Sequence, residues 1–283
     1  MLFRSVSLIT RLVAFPAWLC LAGLPAQAAS TDWVAVTGGA VRIISAGPLE
    51  NGTYRAGLEF SLDPGWHTYW RYPGEAGVPP TLDFSGSRNL ARAEVRYPAP
   101  ARYDDGFSTS IVYDENVVLP ILVTPETPGA PVHLNASLFF GICKEICVPG
   151  DAVFDLVLTP SDREDAVSAK LIARDQALVP EIAEGPASGI VAITSKAGKK
   201  GPVLQIKAEV GPDTSEPELF AEGPEGSYIG VPVMQSRDGG TAVWTLSTTG
   251  LAGSGDGSIL TLVLINGDKA VESRHVLPAD LLK

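Results

Sequence analysis

The sequence predicts an all-β protein of two immunoglobulin-like β-sandwich domains joined by a short helix and linker. Three observations carry this prediction. Short apolar runs with twofold alternation recur through residues 33–159, punctuated by Gly and Pro, as in a sandwich of many brief strands. One stretch with helical periodicity follows, from Ser161 to about Ala177. Strand-like runs then return from Gly189 onward. A length of 283 residues also fits two domains better than one.

The chain opens on a targeting pattern. Arg4 and Arg11 precede an apolar run from Leu12 to Leu24, and Ala26-Gln27-Ala28 follows as a small-residue cleavage site. The run is short of the ~20 residues a membrane span needs. Residues 1–28 are therefore expected to be a signal peptide cleaved after Ala28, placing the mature chain in the periplasm. Cys20 would leave with the signal. The net charge is −11 from 21 basic and 32 acidic residues, and losing two arginines makes the mature chain more acidic still. That charge argues against nucleic acid and anionic lipid as partners. No later stretch is apolar enough to span a membrane, so no membrane insertion is expected after cleavage.

The first sandwich is expected over residues 29–160. Its clearest strands are Val41–Ser45, Tyr54–Leu62, Trp66–Tyr72, Ala93–Tyr97 and Val117–Val123, with Leu134–Ile142 and Ala152–Leu158 as the arms of a hairpin. Residues 161–186 read as helix and linker. Ser161 as N-cap with Glu164 three residues on is a capping-box signature, and Pro180 and Pro186 punctuate the linker. The second sandwich is expected over 187–283, from runs at Ile190–Ser195, Val203–Val210, Tyr228–Gln235, Thr241–Leu246 and Ile259–Ile265. Asn266-Gly267 then turns into Ala270–Leu277. This second half has no cysteine, and His275 is its only histidine.

Two segments of the first half stand out. In Gly65-Trp66-His67-Thr68-Tyr69-Trp70-Arg71-Tyr72, alternation puts Trp66, Thr68 and Trp70 on one face and His67, Tyr69 and Arg71 on the other. Core packing explains the tryptophans; polar-tipped aromatics beside an arginine ask for more. Tyr103-Asp104-Asp105-Gly106-Phe107-Ser108 is polar and turn-rich, with an aromatic near each end.

The remaining cysteines, Cys143 and Cys147, fall between the two hairpin arms with three residues separating them. Opposed residues of an antiparallel pair hold Cβ atoms about 4.5–5.5 Å apart, and a modest pinch reaches the ~3.5–4.5 Å of a disulfide. Closing so short a loop stabilises by only ~2 kcal/mol, against nearly ~5 for a loop of about a hundred residues. A short, turn-borne bridge is also the labile kind. Spacing alone leaves a structural staple and a redox pair both open.

Taken together, the aromatic strand, the Asp104-Asp105 loop, Val112-Tyr113-Asp114-Glu115-Asn116-Val117-Val118-Leu119-Pro120 and the cysteine pair before Val148-Pro149 resemble the N-terminal periplasmic domain of DsbD. The resemblance is closer to ScsB-type reductases, whose two-sandwich N-terminal region matches the plan of the whole mature chain. It implies a thiol-disulfide oxidoreductase that cycles between dithiol and disulfide without a cofactor. Electrons would pass from a membrane-embedded thiol reductase, here a separate polypeptide, to periplasmic thioredoxin-like proteins. Residue by residue, it assigns Cys143 and Cys147 to the redox pair and Tyr69 to a site tyrosine. A second site tyrosine falls near Trp66 or His67, and Asp104 and Asp105 match an acidic pair. The family's shielding phenylalanine falls at Gly106, so Tyr103 or Phe107 would supply any cap over the sulfurs. By the same analogy Cys147 forms the mixed disulfide.

Two other classes of function fit the same residues. One is a non-catalytic adaptor with a structural Cys143–Cys147 bridge. The other is a copper-tolerance protein holding Cu(I) on Cys143, Cys147 and His67, since thiolates suit that ion; no local metal motif supports it.

Overall fold

The computed structural model describes residues 30–198, 201–212, 216–253 and 257–282. The signal segment 1–28, its cleavage after Ala28 and Cys20 lie outside the described residues. The described chain is all-β with one α-helix. The first sandwich comprises β1 (Val34–Val36), β2 (Gly39–Ser45), β3 (Tyr54–Leu62), β4 (His67–Gly74), β5 (Thr81–Asp83), β6 (Leu90–Val95), β7 (Ala101–Asp104), β8 (Thr109–Tyr113), β9 (Val117–Pro125), β10 (Val132–Cys143) and β11 (Cys147–Leu158). One sheet runs β1-β2-β3-β9-β6. The other runs β11-β10-β4-β8-β7, with β5 also paired to β10.

The core lies between these sheets because alternate residues of both point inward. Ile43, Leu58, Phe60 and Leu119 from one side meet Trp70, Ile111, Phe140 and Phe154 from the other. The Phe60 and Phe140 rings pack edge to face at 5.4 Å. The β11 run alternates exposed and buried from Asp151 to Leu156, one face in the core and one in water. Thr68, fully buried on β4, satisfies its hydroxyl by donating to the Gly141 carbonyl at 2.8 Å, tying β4 to β10.

The helix, α1 (Ala166–Gln176), begins later than its sequence signature suggests. Its N-cap is Asp165, whose carboxylate accepts from the backbone N–H of Val167 and Ser168. The Ser161 capping box does not form. Asp162 instead accepts from the Thr159 N–H and hydroxyl, and Asp165 N–H donates to Ala46 O, so the chain is held non-helical up to the cap. Ala169 and Ile172 pack on Ile44, Ala46 and Val118 of the first sandwich. Buried Asp175 accepts from Val118 N–H at 2.5 Å and pairs with Arg174.

The second sandwich has β12 (Glu181–Ile182), β13 (Ile190–Gly198), β14 (Gly201–Glu209), β15 (Glu218–Glu222), β16 (Val233–Asp238), β17 (Thr241–Ser247), β18 (Ser258–Asn266) and β19 (Lys269–Leu277). Its sheets are β12-β19-β18-β15 and β13-β14-β17-β16, packed around Leu204, Ile206, Trp244, Leu260 and Leu262. Asn266 pairs with Lys269 across a tight turn, and Gly267 supplies the positive φ of 64° it needs. Two readings shift. Strand β16 starts at Val233 rather than Tyr228, because 228–231 bridge the two sandwiches: Tyr228 donates to Glu75 O, Ile229 N–H donates to Tyr72 Oη while its side chain stays in the second core, and Val231 joins the first core. Part of the expected linker, Glu181–Ile182, becomes a parallel edge strand on β19.

The two sandwiches meet along β4 and β7. Arg71 reaches Glu222 and Glu272, both at 2.7 Å, and Arg102 reaches Glu218 at 2.9 Å and the carbonyls of Leu219 and Pro232. Phe220 and Val263 of the second sandwich are buried against the first core. Among the described residues, no helix is long and apolar enough to cross a membrane.

Candidate redox site

The β10–β11 hairpin places its cysteines in direct register. Twelve rungs run from Val132 opposite Leu158 to Cys143 opposite Cys147, and Lys144, Glu145 and Ile146 form the connecting loop. Side chains of directly opposed residues share one face, so the sulfurs meet, and Cys143 and Cys147 form a disulfide with Cα atoms 4.2 Å apart. Their surroundings differ. Cys143 is 1% exposed, whereas Cys147, on the outermost strand of its sheet, is exposed.

Strand β4 supplies the wall. His67 is the ladder partner of Cys143, and Tyr69 follows on the same face. The Tyr69 hydroxyl donates to Cys143 Sγ at 2.8 Å and lies 3.1 Å from Cys147 Sγ. Its ring fits because of glycines. A Cβ on Gly77, which has φ +129°, would fall 2.1 Å from the ring, and one on Gly141 would fall 3.2 Å from it. Tyr69, Val112 and Cys143 form a small buried cluster with Tyr103 packed against it. The His67 ring, 3% exposed, lies 4.4 Å from that of Tyr103 and meets Tyr69 edge-on at 5.5 Å.

Burial, then the Asp105 charge, raises the Tyr69 phenol, so it stays protonated as a donor. Burial holds the His67 imidazole below its ordinary value, against the opposing pull of Asp114 and Asp105. Asp105 accepts from the N–H groups of Ser108 and Phe107, both at 2.8 Å, and these bonds keep its carboxyl below the usual range. Asp104 accepts from Gly106 N–H at 2.7 Å. The acidic pair thus shapes the β7–β8 turn, and Asp105 acts on the site by charge. Lys144 points away, its ammonium donating to Pro64 O at 3.3 Å over Gly65.

The structure therefore gathers Cys143, Cys147, His67, Tyr69 and Tyr103 at one place, with Asp104 and Asp105 on the adjoining turn. Phe107 stands apart, 99% exposed at the turn's tip. Gly77 and Gly141 carry no signal in the sequence that points to the site, and Val112 stands there only as part of a motif, not as a neighbour of the sulfurs. Gly77 follows Pro73-Gly74-Glu75-Ala76 and looks like an ordinary turn glycine; only its approach to Tyr69 shows its use. Among the described residues, no three His, Cys, Asp or Glu side chains are grouped to hold a metal ion.

Residues 40–159 match the family model of the thiol:disulfide interchange protein DsbD, N-terminal. Over that span the first sandwich is similar to the DsbD N-terminal domain, a thiol-disulfide exchange family, and the Cys143–Cys147 disulfide lies inside the matched residues. Residues 178–280 match a domain of unknown function, DUF8393. Among solved structures, the chain is similar to the N-terminal periplasmic domain of ScsB from Proteus mirabilis. Identity is 24% and the TM-score 0.69, over 89% of this chain and 99% of that one, so the DsbD-type sandwich and its companion share their fold with that structure. No curated protein matches the sequence.

Proposed function

We propose that the chain is a periplasmic electron relay. It takes two electrons from a membrane-embedded thiol reductase and passes them to thioredoxin-like proteins through Cys143 and Cys147. The observation that carries this reading is the asymmetry of the bridge: Cys143 is buried under a hydrogen-bond donor, and Cys147 is an exposed residue on an edge strand. The DsbD-type family supports the partners in kind, and the periplasmic origin of the ScsB domain supports the compartment.

The chemistry follows from that asymmetry. A donor thiolate attacks Cys147 Sγ, the S–S bond breaks, and Cys143 leaves as a thiolate. The Tyr69 hydroxyl is already placed to stabilise that charge. The donor's second thiolate then attacks the mixed disulfide and releases Cys147, leaving the donor oxidised and this chain as the dithiol. Run in the other direction, Cys147 thiolate attacks a partner disulfide and Cys143 thiolate resolves the adduct. Both legs need Cys147 as the attacked or attacking sulfur, and no cofactor takes part.

The Tyr103–Ser108 turn serves as a cover in this scheme. In the disulfide form Phe107 has no packing to lose, so laying it over the sulfurs of the dithiol gives up no apolar contact. A sulfur–aromatic contact of about 0.3–1.5 kcal/mol favours closure and still yields to a partner.

The deciding experiment is a titration of the pair against reduced and oxidised glutathione, with the thiols read by alkylation. A relay equilibrates with the couple, and a thioredoxin-type dithiol reduces it. A bridge that stays oxidised in excess dithiol is a staple and ends this reading.

A further inference from the structure

We infer that the second sandwich positions the redox centre, with Arg71 and Arg102 as the residues through which it acts. This rests on the relay reading above and assigns a role to the half of the chain that carries no cysteine. The argument starts from how weakly strand β4 is held by its own sheet. On one side it pairs with β10 only at His67 and Thr68. On the other it pairs with β8 at Thr68 and Tyr69, then shifts register and pairs again only at Gly74. Among the described residues, positions 70–73 have no ladder partner. Tyr69, whose hydroxyl must hold its place against two sulfurs, is therefore the last regularly paired residue before a gap.

The second sandwich fills that gap. Arg71 Nε donates to Glu222 and Nη2 to Glu272, each at 2.7 Å, so one guanidinium bridges β15 and β19. A forked pair of this kind fixes direction as well as distance. Tyr72 Oη accepts from Ile229 N–H at 2.6 Å, and the Val231 side chain packs against Gly74. A second clamp holds β7, an edge strand paired only to β8. There Arg102 binds Glu218, and the next residue is Tyr103, whose ring stacks toward His67. Both strands that carry the aromatic wall are thus anchored, one or two residues from it, on the other sandwich.

The consequence is a coupling between clamp and sulfurs. With the clamp intact, the Tyr69 hydroxyl is held where it stabilises the Cys143 thiolate. With the clamp released, Trp70 still anchors β4 in the first core, but residues 71–73 lose their hold on the other sandwich, the hydrogen bond weakens, and the dithiol form is disfavoured.

The test is a thermodynamic cycle on the full chain. The equilibrium of disulfide plus two glutathione with dithiol plus glutathione disulfide is measured for wild type, Tyr69→Phe, Glu222→Ala/Glu272→Ala and the combination. The Tyr69 bond is present in the disulfide form as well, but one to a thiolate is about twice as strong, and that difference, a hydrogen bond of ordinary strength, is worth a factor of about five. The expected result is a fall of about fivefold for Tyr69→Phe and a comparable fall for the glutamate pair, with no further loss in the combination. Glu218→Ala, which releases a more exposed clamp, enters the same cycle and decides the matter if the double variant does not fold. Unchanged equilibria in the glutamate variants, or effects that simply multiply with Tyr69→Phe, overturn the inference. A wild-type bridge that never equilibrates with glutathione overturns the relay reading and this inference with it, which tells the two failures apart.

Discussion

The Tyr69 hydroxyl sits 2.8 Å from the sulfur of Cys143, in a slot that Gly77 and Gly141 leave open. Tyr69→Phe keeps the ring and removes only the donor. The folded state loses one buried hydrogen bond, about 1 kcal/mol, so the melting temperature moves little. Exchange with small dithiols should slow several-fold, because the Cys143 thiolate leaves without its donor. Stopped-flow reduction by dithiothreitol measures this, and an unchanged rate would remove Tyr69 from the chemistry.

The cysteines should matter much for exchange and little for folding. Replacing both with alanine lowers the unfolding free energy by only about 2 kcal/mol, the value for a very short closed loop, and abolishes exchange. Urea denaturation and an insulin-type reduction assay report the two effects separately. Single variants divide the roles. Cys143→Ala keeps the exposed sulfur and accumulates mixed disulfides with a partner, whereas Cys147→Ala traps none.

Stability should depend on pH through one buried and one half-buried imidazole. His67 titrates below its ordinary value when folded, mainly because of burial, and so does His275. Between the folded value and the unfolded one near 6.5, the unfolded chain binds protons that the folded chain refuses. The contribution is therefore complete above about pH 6.5 and is lost as pH falls through the folded value. Urea midpoints should drop between pH 7 and pH 5, and His67→Gln should flatten part of that drop. A midpoint that rises on acidification would contradict the burial argument.

Phe107 makes the cover testable with little structural cost. It buries nothing in the disulfide form, so Phe107→Ala should leave the melting temperature of oxidised protein unchanged. The reduced variant should be oxidised faster by a small disulfide, since the sulfurs lose their shield. Equal oxidation rates would assign the exposed ring to another purpose.

Most of the fold could be read from residue pattern, and the reasons are local. Strand β3 matches its apolar run end to end, because Tyr54, Ala56, Leu58 and Phe60 alternate into one core. The hairpin carrying Cys143 and Cys147 is equally plain, being two long alternating runs around a short polar loop. The helix start was misplaced because a capping signature is judged one residue at a time, whereas Asp165 N–H and Asp162 are engaged by Ala46 and Thr159. Tyr228–Gln235 reads as one strand, yet its first half bridges the two sandwiches, with Ile229 in one core and Val231 in the other, a choice that only assembly of the two halves makes. At the site, the chemically distinctive residues were legible. The glycines around Tyr69 and the partners of Arg71 were not, because their meaning lies in contacts across long sequence separations.

The twelve-rung register of the β10–β11 hairpin has a kinetic consequence. When the sulfur–sulfur bond opens, eleven further rungs still hold the strands together, so the two thiols remain neighbours rather than drifting apart. Each then sees the other at an effective concentration far above that of any thiol in solution. An adduct on Cys147 is consequently exposed to continuous intramolecular attack from Cys143, and adducts with small thiols or with the wrong protein are cleared before they accumulate. Only a partner whose own second thiol is equally close can compete for the outcome. Under the relay reading proposed above, the register of the hairpin favours dithiol partners by timing.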